Sequence, residues 1–348
     1  MMKERNQNIQ VLRCIACMMV FFSHIVGLSV VEPTICGINL NTSPLRLLWG
    51  GNAAVVVFFF LSGYFYKCEK EFTIKNYLND IVKRHRRIYP AFVIVLFLGI
   101  FARMICPPFD SSLLSEWGAS FWMDSPSLLD YAKNFILLLP VSNTRIIDPA
   151  IWTLKIDMRV MMVLPFVEFI EKKIDYRLFT AIIIIGCFFV DAFAYLPVFV
   201  IGSVLSNRLK KNELEDDNRL KVACLVLGIL LLSVEYLRIL PGTKLGSYVT
   251  EILTAVGASF IVIFCERARQ GNGSVYGYMV WFGNISYYFY LVHLVVILFF
   301  RFLLAYTSLG IYAVIVFSLS LVLAIGLASL DKRIQTLFQS EKKWGTLI

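Results

Sequence analysis

The fold is decided by residues 9–31, which read IQVLRCIACMMVFFSHIVGLSVV. A helix of about 20 apolar residues crosses the hydrocarbon core of a bilayer, so this stretch predicts a membrane-spanning helix. It carries a cation, Arg13, near one end and an imidazole, His24, near the other. A charged side chain at the centre of a span costs roughly 2.5–3.5 kcal/mol on insertion scales, so such residues usually face protein or water and mark function.

Arg13 and His24 are predicted to share one face of this helix. Eleven residues at about 100° each return the helix to within about 20° of its starting direction and advance it by about 16 Å. We interpret this face as one wall of a polar passage through the membrane. Two alternatives stay open: Arg13 as an anchor that reaches the lipid headgroups, and His24 as a packing residue bonded to a neighbouring helix.

The composition excludes a soluble globular protein. Of the 348 residues, 58% are hydrophobic and 16% are charged, and the mean hydropathy is +0.72. So few polar residues would not cover the surface of a soluble core of this size, which indicates an all-α, polytopic membrane protein. The net charge of +9 comes from cations in short connections between apolar segments. We therefore expect membrane lipid, and no nucleic acid, among its partners.

About ten segments are apolar enough to serve as spans. The cation-rich loop at residues 67–87 and the basic C-terminal end predict that both termini are cytoplasmic. We expect Pro90 in the first turn of the third span, where proline is tolerated. Residues 1–335 form a single predicted transmembrane domain and residues 336–348 a cytoplasmic tail, with the oligomeric state left open. The ten segments are 9–31, 50–66, 88–106, 151–170, 178–193, 195–207, 222–239, 248–265, 282–306 and 311–330.

The fourth span is unusual because four charged residues lie within it. We expect its charged face to be covered by protein rather than by lipid. Three histidines and eight scattered cysteines predict no metal site. A disulfide between Cys36 and Cys106, on the predicted outer side, is left open. The four charged residues are Lys155, Asp157, Arg159 and Glu168.

Arginines are the first group of candidate site residues. Arg84, Arg86 and Arg87 precede the third span, at the same membrane face as Arg13. Guanidinium groups pair bidentately with phosphate oxygens, so these residues are candidates for a phosphate-binding pocket. Ordinary contact with lipid headgroups is the alternative.

Two histidines form the second group. Asp157 enters the membrane from the outer side and is predicted at a depth similar to that of His24, where a carboxylate would raise the basicity of the imidazole, as a general base requires. Ser286, Tyr290 and His293 follow i, i+4, i+7 spacing and form one polar stripe on the ninth span. Packing between helices is an equally good explanation of that stripe.

Five stretches, in order, resemble motifs of the membrane-bound acyltransferase-3 family. Arg13 with ten residues before His24 is similar to its first-helix signature. WTLKID matches a Trp-Ser-Leu-x-x-Glu pattern, with Thr153 for serine and Asp157 for glutamate. The other three are GNAAVVVFFFLSGY at 51–64, RHRRIYP at 84–90 and ISYYFYLVH at 285–293.

The resemblance implies transfer of an acyl group, most often acetyl, from cytoplasmic acyl-coenzyme A to a hydroxyl of a cell-surface glycan or its lipid-linked precursor. It places the protein in the bacterial cytoplasmic (inner) membrane. Its motifs assign the donor's phosphates to the four arginines, and the chemistry to His24, as base or as brief acyl carrier, with Asp157. The implied passage is lined by Ser62, Trp152, Ser286, Tyr290 and His293. A carrier or flippase of a lipid-linked sugar and a non-enzymatic scaffold are the alternatives.

Overall fold

The described chain is almost entirely helical in a computed structural model, which confirms the predicted all-α class. Its one strand pair is short: β1 (Thr34–Ile35) and β2 (Ile38–Asn39) run antiparallel, with Ile35 opposite Ile38. The structure describes residues 6–344 apart from 31–33, 36–37, 40, 42–43, 67–72, 109, 124, 140–142, 172, 210–216, 238–239 and 241. Cys36 lies outside these residues, so its pairing with Cys106 stays a prediction.

Each of the ten predicted segments coincides with a helix. Two further short helices, α4 and α5 as numbered below, lie in the connection before the fourth segment. The helices are α1 (Gln7–Leu28), α2 (Gly51–Phe65), α3 (Ile74–Met104), α4 (Glu116–Ala119), α5 (Leu128–Phe135), α6 (Ile151–Glu171), α7 (Tyr176–Phe188), α8 (Leu196–Leu209), α9 (Asn218–Leu232), α10 (Lys244–Arg267), α11 (Ser274–Phe299) and α12 (Leu309–Trp344). Short 3-10 helices span Pro44–Trp49, Ser111–Leu113, Thr144–Ile146, Asp191–Phe193 and Phe300–Ala305.

Six helical segments in the described part of the chain are long and apolar enough to cross a membrane. Helices α2 and α7 are apolar but shorter, α6 carries five charged side chains, and α9 has 15 residues. The protein is therefore a helical membrane protein. The six segments are Gln7–Leu28, Ile74–Met104, Asp191–Leu209, Lys244–Arg267, Ser274–Ala305 and Leu309–Leu337.

The prediction of a basic loop at residues 67–87 is wrong for residues 74–87, which are helical. Helix α3 begins at Ile74, and the Thr73 side chain accepts a hydrogen bond from the Asn76 N–H, as an N-cap does. The three arginines of this run are therefore helical residues. Hydropathy placed the boundary where charged residues begin, but no proline or glycine interrupts the helix there.

Pro90 lies in the interior of α3, not in the first turn as predicted. Proline lacks an N–H, so the carbonyl of Arg86, four residues earlier, loses its helical partner. The amide of Gln335 lies 3.4 Å from this oxygen, and the hydroxyl of Tyr287 donates to the nearby carbonyl of Ile88 at 3.0 Å. Side chains of α11 and α12 thus supply donors beside the interruption.

Helices α1 and α9 end before their predicted limits, 31 and 239. Helix α1 ends at Leu28 because Ser115 donates its N–H to the Leu28 carbonyl at 2.9 Å and its hydroxyl to the Gly27 carbonyl at 2.5 Å. Helix α9 ends at Leu232, and the chain then turns through residues 233–237. At the other end of the chain, α12 continues to Trp344, so no break in secondary structure separates the predicted tail.

The chain divides into two compact units. The first unit contains Met1–Val26, Val31–Phe72 and Ile156–Asn284. The second contains Gly27–Val30, Thr73–Lys155 and Ile285–Ile348. The first unit therefore holds both predicted polar residues of α1, whereas the second holds the basic run of α3.

Glycines let α2 and α8 approach closely within the first unit. A Cβ atom at Gly63 would overlap the backbone of Phe199, and one at Gly202 would overlap the carbonyl of Phe60. Helices in lipid gain stability from such close backbone approach. Beside the contact, the rings of Phe59 and Phe199 stack with centroids 5.1 Å apart.

Gly202→Ala is expected to destabilise the protein, because the added methyl group must separate α8 from the α2 backbone. Overpacking of this kind costs about 1–3 kcal/mol. Gly186→Ala on α7 is the matched control, since a Cβ there meets no atom within 4 Å. Thermal unfolding in detergent should show a lower Tm for the first variant only; equal Tm values would contradict the packing.

Candidate functional site

Arg13 and His24 lie on one continuous helix, as predicted, and both are half-buried. Ile15 and Phe22 on the same helix are 44% and 42% exposed. Each lies two residues from one of the polar pair, which is roughly 160–200° around the helix. Helix α1 therefore has an exposed apolar face directly opposite the face that carries the cation and the imidazole.

The structure confirms the prediction that protein covers the charged side chains of α6. Lys155 and Glu168 are buried, and Asp157 and Arg159 are half-buried. The Glu168 carboxylate accepts a hydrogen bond from the hydroxyl of Ser203 at 2.7 Å. No charged side chain of α6 among the described residues therefore lies fully on the lipid-facing surface.

Asp157 and His24 belong to the same unit, but their partnership stays a prediction. One carboxylate oxygen of Asp157, Oδ1, is buried. Beside His24, Ser23 packs against α2, where a Cβ atom at Gly51 would overlap the Ser23 hydroxyl. Ser62, the predicted lining residue of α2, is half-buried.

The predicted stripe of α11 is buried and hydrogen-bonded within the second unit. The hydroxyls of Tyr290 and Thr153 lie 3.0 Å apart, and His293 Nδ1 lies 2.7 Å from the Tyr290 carbonyl oxygen. A carbonyl only accepts, so Nδ1 donates and Nε2 is the acceptor of the neutral ring. Ser286 is buried, while Trp152, beside Thr153, is partly exposed. The structure brings α6 and α11 together here.

The basic run of α3 lies beside a buried carboxylate that the sequence did not indicate. Arg84 is half-buried, whereas Arg86 and Arg87 are exposed. Asp331 of α12 is buried and accepts hydrogen bonds from the Tyr288 hydroxyl at 2.8 Å and from the Gln335 amide at 3.2 Å; that amide also lies near the Arg86 and Arg87 carbonyls. Arg13 belongs to the other unit, so its grouping with these arginines stays a prediction.

Gln10, one turn before Arg13, is a second residue that was not a candidate from the sequence. Its side chain is 3% exposed, and neither amide atom has a hydrogen-bond partner among the described residues. Leaving such a group unsatisfied costs about 1–3 kcal/mol. A polar ligand or water beside Arg13 would remove this cost. A glutamine one helical turn from a charged residue in a span indicates a polar site, but a hydropathy average over the span does not reveal it.

Asp148 is a third residue, with Asp331 and Gln10, that was not a candidate from the sequence. It is 0% exposed, its Oδ1 accepts the N–H of Ala150 at 2.9 Å, and its Oδ2 has no hydrogen-bond partner in the described part of the chain. Burial raises the pKa of this carboxyl to about 7. Asp148 precedes α6 in the second unit, two residues before the Ala150 carbonyl that lies 3.5 Å from the Tyr290 hydroxyl.

Burial of Asp148 is expected to make the protein less stable as the pH rises. Its folded pKa lies above its ordinary value of 3.8, so the folded state holds a proton that the unfolded chain releases between those values. The free energy of unfolding should therefore fall as pH rises from about 4 to about 7. Asp148→Asn removes the ionisable carboxyl and therefore this fall in the free energy of unfolding. The Tm of the variant should exceed that of wild type more at about pH 8 than at about pH 5; a pH-independent difference would contradict the assignment.

The amino-acid sequence matches a known protein family. A family model described as an acyltransferase domain matches residues 6–329, nearly the whole chain. No curated protein and no solved structure matches the chain. The matched range contains all five motifs quoted from the sequence, from the polar pair of α1 to the stripe of α11. The chain therefore belongs to the acyltransferase-3 family, as the motifs indicated.

Proposed function

We propose that this protein is an integral-membrane O-acyltransferase. It moves an acyl group, in our proposal acetyl, from cytoplasmic acyl-coenzyme A to a hydroxyl of a cell-surface glycan or its lipid-linked precursor. Family membership supports acyl transfer. The observation that carries the finer proposal is α1, where half-buried Arg13 and His24 share a face opposite the exposed Ile15 and Phe22.

The proposed topology has ten spans with both termini in the cytoplasm of a bacterium, in its inner membrane. Helices α2, α6, α7 and α9 complete the ten with the six long apolar segments. The covered charges of α6 support its inclusion, because a helix whose ionisable groups face protein is able to cross lipid. The basic start of α3 supports a cytoplasmic position for that end.

The donor is proposed to bind by its phosphates at the basic start of α3. Arg86 and Arg87 are exposed and so are accessible from the aqueous side, while half-buried Arg84 is more restrained. Guanidinium groups suit phosphate oxygens by charge and by geometry. Arg13 of α1 is proposed as a further phosphate contact, with the buried amide of Gln10 one turn away.

His24 is proposed to activate the acceptor. As the neutral imidazole takes the proton of the acceptor hydroxyl, the oxygen attacks the thioester carbonyl carbon. An ester C–O bond forms, the C–S bond breaks, and the thiolate that leaves receives the proton from the imidazolium. Asp157 is proposed to hold the other ring nitrogen and stabilise the imidazolium. A route in which His24 first carries the acyl group gives the same products.

His24→Ala should reduce acyl transfer by about 10²- to 10⁴-fold, because that is the usual contribution of a positioned general base. The measurement is transfer of radiolabelled acetyl from acetyl-coenzyme A to glycan in membranes, with Tm as a check on folding. Phe22→Ala, on the opposite face of α1, is the control and should retain activity. Full acyl transfer by the His24→Ala variant would contradict the catalytic assignment of His24. If wild type moved glycan across the membrane without labelling it with acetyl, the protein would be a flippase.

Arg86→Ala and Arg87→Ala should each raise the KM for acetyl-coenzyme A by about tenfold or more, because a hydrogen bond to a charged group is worth about 1.5–3 kcal/mol. The kcat should change less, since the phosphates lie far from the reacting carbonyl. Arg219→Ala, an exposed arginine at the start of α9, is the matched control. An unchanged KM in both test variants would remove the phosphate site.

A further inference from the structure

The first unit contains a cavity of about 370 Å³ to which nothing above assigns a role. Residues of α2 and α10, of the turn that follows α9 and of the segment before α8 line it. We call it the acidic cavity, because two carboxylates lie in its wall. Its main polar lining residues are Asn52, Tyr195, Glu235, Thr250, Glu251 and Thr254.

The polar groups of the acidic cavity are already joined in pairs along its wall. The Asn52 amide donates to the Glu235 carboxylate at 2.6 Å, and the Tyr195 hydroxyl donates to the Glu251 carboxylate. The Thr254 hydroxyl donates to the backbone carbonyl of residue 250 at 2.8 Å. These bonds use donors and leave acceptor sites on the carboxylate and hydroxyl oxygens. A ligand that fits must therefore bring hydrogen-bond donors.

The charge of the acidic cavity restricts the ligand further. None of its described lining residues is a lysine or an arginine. The nearby cation Arg46 lies over the rings of Trp49 and Tyr236, with its carbon Cζ 5.8 Å and 5.1 Å from their centroids. The Glu235 carboxylate, with no lysine or arginine in the described lining, disfavours a ligand carboxylate or phosphate. The side-chain oxygens of both glutamates can accept hydrogen bonds from hydroxyl groups.

The acidic cavity has a wall in α2, which packs against the part of α1 that carries the proposed base. Asn52 lines the cavity and directly follows Gly51, which packs against Ser23, the neighbour of His24. Each of these steps is a single residue or a direct contact. The helix segment that carries His24 therefore packs, through Ser23, on the turn of α2 that carries Asn52.

We propose that the acidic cavity binds one uncharged, hydroxyl-rich ring of the acceptor and rejects a ring that carries a carboxylate or a phosphate. Its volume of about 370 Å³ is about twelve times the share of one water molecule in the liquid, so the cavity is large enough to hold one sugar ring. This inference rests on the proposed function, since it makes the cavity the acceptor site.

The test uses the purified full chain in nanodiscs and two probes, methyl glucoside and methyl glucuronide, in saturation-transfer NMR. Wild type should bind the glucoside and not the glucuronide. The double variant Glu235→Gln, Glu251→Gln should bind the glucoside about tenfold more weakly, because charge-assisted hydrogen bonds are lost. Glu116→Gln, an exposed glutamate of α4, is the control and should behave as wild type.

Equal binding of both probes by wild type, no binding of either, or glucoside binding that the double variant retains in full would overturn the inference. A parallel assay of acetyl transfer in membranes separates this result from the proposed function. Transfer by wild type with an unchanged acceptor KM in the double variant rejects the acidic cavity alone. Absence of transfer by wild type rejects the proposed function, while the NMR result still decides what the cavity binds.

Discussion

A charged side chain within a bilayer must be covered by protein or reach water, because hydrocarbon offers it no hydrogen bonds. Individual charged side chains in and beside the spanning helices of this chain meet that constraint. In α12 the Asp331 carboxylate is buried under the hydroxyl of Tyr288. Arg301, just after α11, is buried and donates to the Phe121 carbonyl at 3.1 Å. Covered charge of this kind is what gives a membrane protein a polar interior in which chemistry is possible.

The same constraint acts on the backbone. Pro90 removes one donor from α3, and side chains from α11 and α12 lie close to the carbonyls around it. At the end of α1, the hydroxyl and N–H of Ser115 donate hydrogen bonds to the last backbone carbonyls. Helix ends and interruptions therefore define where connecting segments must pack. The residues that perform this role, such as Gln335, have no apolar pattern that would reveal them.

Hydropathy and charge located every long helix, because burial in lipid and burial in helix–helix contacts both select apolar residues over about 20 positions. They missed the first turns of α3, where fourteen residues, many of them polar, extend the helix from Ile74 to Arg87. Spacing found the shared face of Arg13 and His24, since one helix fixes it. It found neither Asp148 nor the acidic cavity, whose walls come from segments far apart in sequence. Such groupings depend on tertiary packing and leave no local signal.

The central claim is that one face of α1 lines a watered passage while the other faces lipid. Single cysteines at positions 13, 15, 22 and 24, in a background without the native cysteines, test it by reaction with a membrane-impermeant maleimide in nanodiscs. A thiol reacts as its thiolate, which forms in water and not in hydrocarbon. Positions 13 and 24 should react and positions 15 and 22 should not. Labelling of positions 15 and 22, or protection of 13 and 24, would contradict the account.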